Sequence, residues 1–263
     1  MRTRLAIVGG GRMGEALAGG LLSSGWAEPQ ELTIVEASPA RREELAERLV
    51  GVALSASPVA ADGVVLAVKP PDVAAACRAA VSAGAGRALS IAAGITIASL
   101  EAELGSIPVV RAMPNTPALV RAGVAAIAAG SHAGEADMAW AEGILGAVGA
   151  VVRVEESQLD AVTGLSGSGP AYVFLMVEAL IQAGEEVGLA AEVSRELVLG
   201  TLLGSARLLI ETGDTPRALR AAVTSPGGTT AAGIAVLEGA GMPQAVVDAV
   251  VAATTRATEL GHG

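Results

Sequence analysis

Few side chains of this protein titrate near neutral pH. Lys69 is its only lysine, and its histidines are His132 and His262. Acid–base catalysis therefore has little to draw on. What the chain offers instead is a pair of loops rich in glycine, Gly9-Gly10-Gly11-Arg12-Met13-Gly14 and Thr224-Ser225-Pro226-Gly227-Gly228-Thr229-Thr230. Loops of this kind gather backbone N–H groups at a helix N-terminus, where a phosphate or a carboxylate binds.

The first loop has the spacing Gly9-x-Gly11-x-x-Gly14 between an apolar run and a helical pattern, the context of a dinucleotide-binding turn. The first glycine permits the tight turn, the second lets the backbone approach a pyrophosphate, and the third allows close helix packing. Glu36 closes the next apolar run, about 20 residues downstream, where an acid binds the ribose 2′-hydroxyl and disfavours a 2′-phosphate. Ser38, Arg41 and Arg42 follow at once, and an arginine there holds a 2′-phosphate unless both merely sit solvated on a helix face. NAD and NADP both stay open.

Ala67-Val68-Lys69-Pro70-Pro71 ends a continuous apolar run and lies where open α/β sheets bind ligands. Lys69 meets the cofactor there, by its side chain or only by its backbone, or serves as a general acid. Arg111-Ala112-Met113-Pro114-Asn115-Thr116-Pro117 closes another strand. One reading places Met113 and Asn115 beside the nicotinamide; the other is a proline-stiffened turn with Arg111 in a surface ion pair.

In the second loop, Gly227 and Gly228 can adopt positive φ and clear the approach path, while Ser225, Thr229 and Thr230 add hydroxyls. The loop is an anion site, or an ordinary turn capped by Thr229. Leu165-Ser166-Gly167-Ser168-Gly169-Pro170-Ala171-Tyr172 joins two helices, for close packing or for ligand contact.

The elements that must position these loops fall into two halves. Apolar runs at Arg4–Val8, Leu32–Val35, Val52–Leu54, Gly63–Val68, Ala88–Ala92, Val109–Ala112, Val124–Ala128 and Val151–Val154 alternate with helical patterns at Met13–Leu22, Ala40–Leu49, Val73–Val81, Ile97–Leu104 and Glu135–Leu145. Thr96 is placed to cap the fourth helix. The alternation predicts an α/β fold, a doubly wound, mostly parallel sheet. From Gln158 onward the pattern is helical, with helices over Leu159–Leu165, Pro170–Val187, Glu192–Glu211, Pro216–Val223, Thr229–Glu238 and Pro243–Leu260. Gly188, Gly213 and Gly241 stand where helices stop. The expected domains are 1–157 and 158–263.

Seventeen basic and 27 acidic residues give a net charge of −10, which argues against nucleic acid or an anionic membrane surface as a partner. No metal set stands out. Uncharged stretches such as Ala161–Val177 and Ala221–Leu237 carry Gly and Pro in their middle, so no membrane span is expected. Met1-Arg2-Thr3-Arg4-Leu5 reads as the start of a strand rather than a signal peptide. Cys77 stands alone, a small buried residue on a helix, and a reducing cytoplasm is the expected compartment. Hydrophobic residues make up 52% but aromatics only 2%, and small side chains leave apolar surface for a partner subunit to cover.

The chain resembles the pyrroline-5-carboxylate reductase family over nearly its whole length. The resemblance rests on Gly9–Gly14, Ala67-Val68-Lys69-Pro70, Arg111–Pro117, Leu159-Asp160-Ala161-Val162-Thr163, Gly167–Tyr172 and Val223–Thr230, the last two being specific to the family. It implies a Rossmann-type NAD(P)H domain and an all-α dimerisation domain, an intertwined dimer that in many members forms a decamer of five dimers, and a substrate site at the dimer interface. It further implies that the Ser225–Thr230 loop holds the substrate carboxylate and that Thr230 contacts the ring nitrogen. Glu36-Ala37-Ser38 departs from the segment that in many members suits a 2′-phosphate. Two other functions share parts of this pattern. A hydroxy-acid dehydrogenase would rely on a lysine in the helical half, where this chain has none, and a non-catalytic NAD(P)-binding protein would not need the second loop.

Overall fold

The computed structural model describes residues 3–262; the first residues of the N-terminal reading, Met1 and Arg2, lie outside them. The chain divides into two compact units. One runs up to Ser168 and includes the residues from Val251 onward; the other is Gly169–Val250.

The first unit is built on eight strands: β1 (Thr3–Val8), β2 (Leu32–Val35), β3 (Ala53–Ser55), β4 (Ala61–Leu66), β5 (Ala88–Ser90), β6 (Val109–Pro114), β7 (Gly123–Ala129) and β8 (Gly149–Arg153). Their order is β3-β2-β1-β4-β5-β6-β7-β8, and only the β6–β7 pair is antiparallel. Between them lie α1 (Arg12–Ser23), α2 (Pro39–Arg48), α3 (Val73–Ser82), α4 (Ile97–Leu104) and α5 (Glu135–Gly146). The central strands are apolar on both faces because helices cover both. In β1, Leu5 and Ile7 join one core layer with Leu17, Leu21 and Ile144, while Ala6 and Val8 join the opposite layer with Cys77 and Leu100. Cys77 is fully buried on α3, and burial, helped by the nearby Glu103 charge, pushes its thiol up to about 11. Thr96 caps α4 as expected, its hydroxyl accepting the Ser99 N–H at 3.2 Å.

The order reverses between β1 and β4, the point at which doubly wound sheets bind ligands beyond the C-terminal strand ends. Gly9 leaves β1 and Ala67 leaves β4 side by side there, so topology alone brings two of the sequence-predicted segments together.

The remaining helices are α6 (Leu159–Val162), α7 (Gly169–Glu186), α8 (Ala191–Thr212), α9 (Pro216–Ala222), α10 (Thr229–Gly239) and α11 (Met242–His262). Gly188, Gly213 and Gly241 have φ of +98°, +68° and +78° at the helix stops. The connection read as a loop between two helices is instead a π turn over Thr163–Gly167, closed by the Ser168 N–H to Thr163 carbonyl bond at 2.8 Å. A helical stretch of 31 residues, Glu156–Glu186, therefore runs through the glycines and Pro170. It is long and apolar enough to cross a bilayer by length and composition, as is the bent pair Thr229–Gly239 and Met242–Gly261. The expectation of no span counted Gly167–Pro170 as a break; the chain absorbs it by widening one turn. In the second unit Phe174, Leu203 and Val236 are exposed.

Candidate functional site

The glycine turn after β1 is tightly determined. Gly9 has φ +108°, and a Cβ on it would lie 2.4 Å from the Ala67 carbonyl oxygen. A Cβ on Gly14 would lie 2.0 Å from the Gly9 carbonyl oxygen, whereas a Cβ on Gly11 would meet nothing within 4 Å. Gly9 and Gly14 are thus closed by the protein's own backbone, and Gly11 is open on its outer side. Gly11 is also the N-cap of α1 and supplies no capping side chain, which leaves the first N–H groups of the helix to an external acceptor. This cradle fits a pyrophosphate. Arg12 lines a groove of about 870 Å³ beside it with Gly11, Arg41, Arg48 and Arg121, and Met13 turns back against the core.

The end of β2 is knotted to this turn. The Gly10 N–H donates to Glu36 Oε2 at 3.0 Å and the Ser38 N–H to Glu36 Oε1 at 2.8 Å. Arg41 donates from Nε to the Gly10 carbonyl at 2.8 Å, from Nη2 to Glu15 at 2.5 Å and from Nη1 to Glu44 at 2.7 Å. Arg42 donates from Nη1 to the carbonyls of Glu36 and Ala37 at 2.7 and 2.8 Å. The reading of both arginines as merely solvated is therefore corrected: each is fixed by chain atoms. Burial pushes the Glu15 carboxyl up, but hydrogen bonds from Arg41 and Arg48 outweigh it and hold the group below the usual carboxylate value. Ser38 caps α2, its hydroxyl accepting the Arg41 N–H at 3.3 Å.

Ala67 and Val68 are half-buried at the end of β4, and Lys69 is exposed where a short 3-10 turn, Pro70–Asp72, begins. At the end of β6, Met113 is half-buried, and its methyl group lies 2.6 Å from the place a Cβ on Gly167 would take. The Asn115 amide is engaged at both ends: Nδ2 donates to the Ser166 carbonyl at 3.1 Å, and Oδ1 accepts the Val124 N–H at 2.9 Å. Asn115 braces β7 and the π turn.

Arg111 is buried rather than on the surface. Its Nη1 lies 2.9 Å from Glu156 and its Nη2 3.8 Å from Asp160. Glu156 also accepts the Ile97 N–H at 2.6 Å, and Asp160 accepts the Thr258 hydroxyl at 3.0 Å. This network ties β6 to α4, α6 and α11, and sequence reasoning missed it. Its signal was a lone arginine inside an otherwise apolar strand.

In the second loop Gly227 has φ +71°, and a Cβ on Gly228 would lie 2.5 Å from the Ser225 hydroxyl oxygen. Gly228, not Thr229, is the N-cap of α10, and no side chain caps that helix. Gly228 is still extended, at φ −80° and ψ 172°, and Thr229 is already helical, so the cap falls one residue earlier than read. Thr229 and Thr230 open the first turn and are exposed, as is Ser225. An uncapped helix start flanked by hydroxyls suits a small carboxylate.

Comparison with known proteins covers both halves. Residues 156–260 match the family model described as pyrroline-5-carboxylate reductase dimerisation, and residues 4–94 the model described as NADP oxidoreductase, coenzyme F420-dependent. A pyrroline-5-carboxylate reductase of Synechocystis is 43% identical, with 99% of each chain covered, and one of Mycobacterium tuberculosis is 44% identical over 98% of this chain and 96% of its own. Among solved structures, the pyrroline-5-carboxylate reductase of Coxiella burnetii superposes with a TM-score of 0.92 at 37% identity, covering 99% of both chains. That of Plasmodium falciparum, solved with NADP bound, superposes with a TM-score of 0.86 at 30% identity, covering 98% of both.

Proposed function

The chain belongs to the pyrroline-5-carboxylate reductase family, and on that premise we propose how its two glycine loops divide the work. The protein is an NAD(P)H-dependent oxidoreductase that reduces the C=N bond of 1-pyrroline-5-carboxylate to give L-proline, the last step of proline biosynthesis. It is a homo-oligomer, with its dimerisation region in the helical half. When bound, the reduced nicotinamide supplies the hydride.

In this reading Gly9, Gly11 and Gly14, with the α1 amides of Arg12 and Met13, hold the pyrophosphate. Glu36 and Ser38 face the adenosine ribose, and Ala67, Val68, Lys69, Pro70, Met113 and Asn115 line the nicotinamide side. Ser225, Gly227, Gly228 and Thr229 bind the substrate carboxylate, and Thr230 is the catalytic residue that orients the ring nitrogen. A protonated imine already carries the positive charge that an enzyme acid would otherwise induce, so alignment supplies much of the rate. The scarcity of titratable side chains accords with that chemistry. The observation carrying the reading is the α10 N-terminus, which lacks a side-chain cap, behind a glycine at positive φ. Residues 1–157 act as the cofactor domain and 158–263 as the dimerisation and substrate domain, with five dimers assembling into a decamer in a reducing cytoplasm.

Thr230→Ala is the test. Losing one hydrogen bond to a charged group lowers kcat/KM for the imine roughly 10–100-fold. The dissociation constant for the cofactor stays unchanged. Full retention of kcat/KM would remove Thr230 from the mechanism.

A further inference from the structure

The segment that joins β2 to α2 carries more than a cofactor-loop motif requires. The N–H groups of Gly10 and Ser38 point at one spot, and the Glu36 carboxylate fills it, one oxygen to each donor, at 3.0 and 2.8 Å. Two converging N–H groups beside a helix N-terminus form a nest for an anion. Here the chain supplies that anion itself. A Cβ on Gly10 would approach the Glu36 carboxylate oxygen to 3.1 Å, which places the acid directly against the cofactor loop.

Within the segment itself, both arginines are held by chain atoms. Each of the three donor nitrogens of Arg41 that the structure pairs has an acceptor: the Gly10 carbonyl, Glu15 and Glu44. Arg42 is folded onto the carbonyls of Glu36 and Ala37. A 2′-phosphate brought to this segment would meet the Glu36 charge, find the nest filled, and gain Arg41 only by breaking its ion pairs with Glu15 and Glu44. A 2′-hydroxyl meets no such cost and finds in Glu36 an acceptor.

Resting on the reading of Gly9–Gly14 as the dinucleotide turn, we infer that Glu36 is the residue that selects the cofactor: it sets the protein to bind NADH in preference to NADPH by occupying the nest a 2′-phosphate would use. Arg41 is a positioning residue, holding the Gly10 carbonyl and α1 in place for either cofactor.

The test is equilibrium binding, independent of turnover. Dissociation constants for NADH and NADPH, and for AMP against adenosine 2′,5′-bisphosphate as fragments, are measured by titration calorimetry on the full-length protein and three variants. In the wild type NADH binds at least about tenfold tighter than NADPH, as expected for one close like-charge pair near a protein surface. Glu36→Ala empties the nest and frees two donors, so NADPH and the bisphosphate tighten, NADH weakens and the ratio inverts. Glu36→Gln keeps the shape, removes the charge and gives an intermediate ratio. Arg41→Ala weakens both cofactors by a similar factor. Equal or tighter binding of NADPH by the wild type, or a ratio that does not move in either Glu36 variant, overturns the inference. Selective loss of NADPH in Arg41→Ala overturns it too, since Arg41 would then be the phosphate ligand. Failure of the wild type to bind either cofactor overturns the dinucleotide turn, and the inference with it.

Discussion

At the scale of single residues, Gly9 and Gly14 were legible because a positive φ and a tight strand-to-helix turn are local demands. Gly14 has no room for a Cβ: the position lies 2.0 Å from the Gly9 carbonyl oxygen, a backbone atom that cannot rotate away. Gly14→Ala therefore forces α1 off the turn, and overpacking of this kind costs about 1–3 kcal/mol. The expected outcome is a lower melting temperature and loss of measurable NAD(P)H binding by calorimetry; a variant that binds cofactor normally would refute the close-packing role. Glu36 was read from its position alone as an acid for a ribose hydroxyl, and its role as the partner of Gly10 was not legible, because its bonds to Gly10 and Ser38 depend on where β2 ends relative to β1. Asn115 was read as a nicotinamide neighbour from its amide alone. The structure shows that both ends of that amide are used by Val124 and Ser166, a pairing no local pattern announces.

At the scale of elements, strand and helix positions followed from periodicity and punctuation, and the α4 cap at Thr96 was read correctly for the same reason. What escaped was long-range. The π turn at Thr163–Gly167 forms where Gly167 meets the Met113 methyl group and where Ser166 accepts from Asn115, contacts that span about fifty residues. The Arg111 network is of the same kind. Arg111 sits at 8% side-chain exposure on β6 and meets carboxylates from the chain segment that opens the helical half. Arg111→Ala leaves Glu156 and Asp160 without their cation. Breaking a buried pair costs 3–5 kcal/mol, and with both carboxylates partly exposed a loss of about 3 kcal/mol is expected. Urea denaturation reads it as a lower midpoint with an unchanged slope. A shift worth less than about 1 kcal/mol would mean that the pair is screened as a surface bridge is.

At the scale of the whole molecule, the composition foretold apolar surface for a partner, and the helices of the second unit carry it: Phe174 is 60% and Leu203 58% exposed. Residues 156–260 match a dimerisation region, and exposed apolar surface there is what a partner subunit is expected to cover. Phe174→Glu puts a charge into that interface. Light scattering should find the variant as a monomer at concentrations where the wild type is oligomeric, and the wild-type melting temperature should rise with protein concentration. A variant of unchanged mass would place the interface elsewhere. The last helix adds a consequence of another sort. Its final turns belong to the first unit, where Thr258 donates to Asp160 and a Cβ on Gly94 would lie 3.5 Å from the Leu260 carbonyl oxygen. Domains generally fold as they leave the ribosome, N-terminal first, at about 5–20 residues per second. Here the N-terminal unit cannot close on its own schedule, because a piece of it, from Val251 onward, is translated after the whole of the second unit. Synthesis of α11, rather than completion of β8, sets the moment at which the first unit becomes whole.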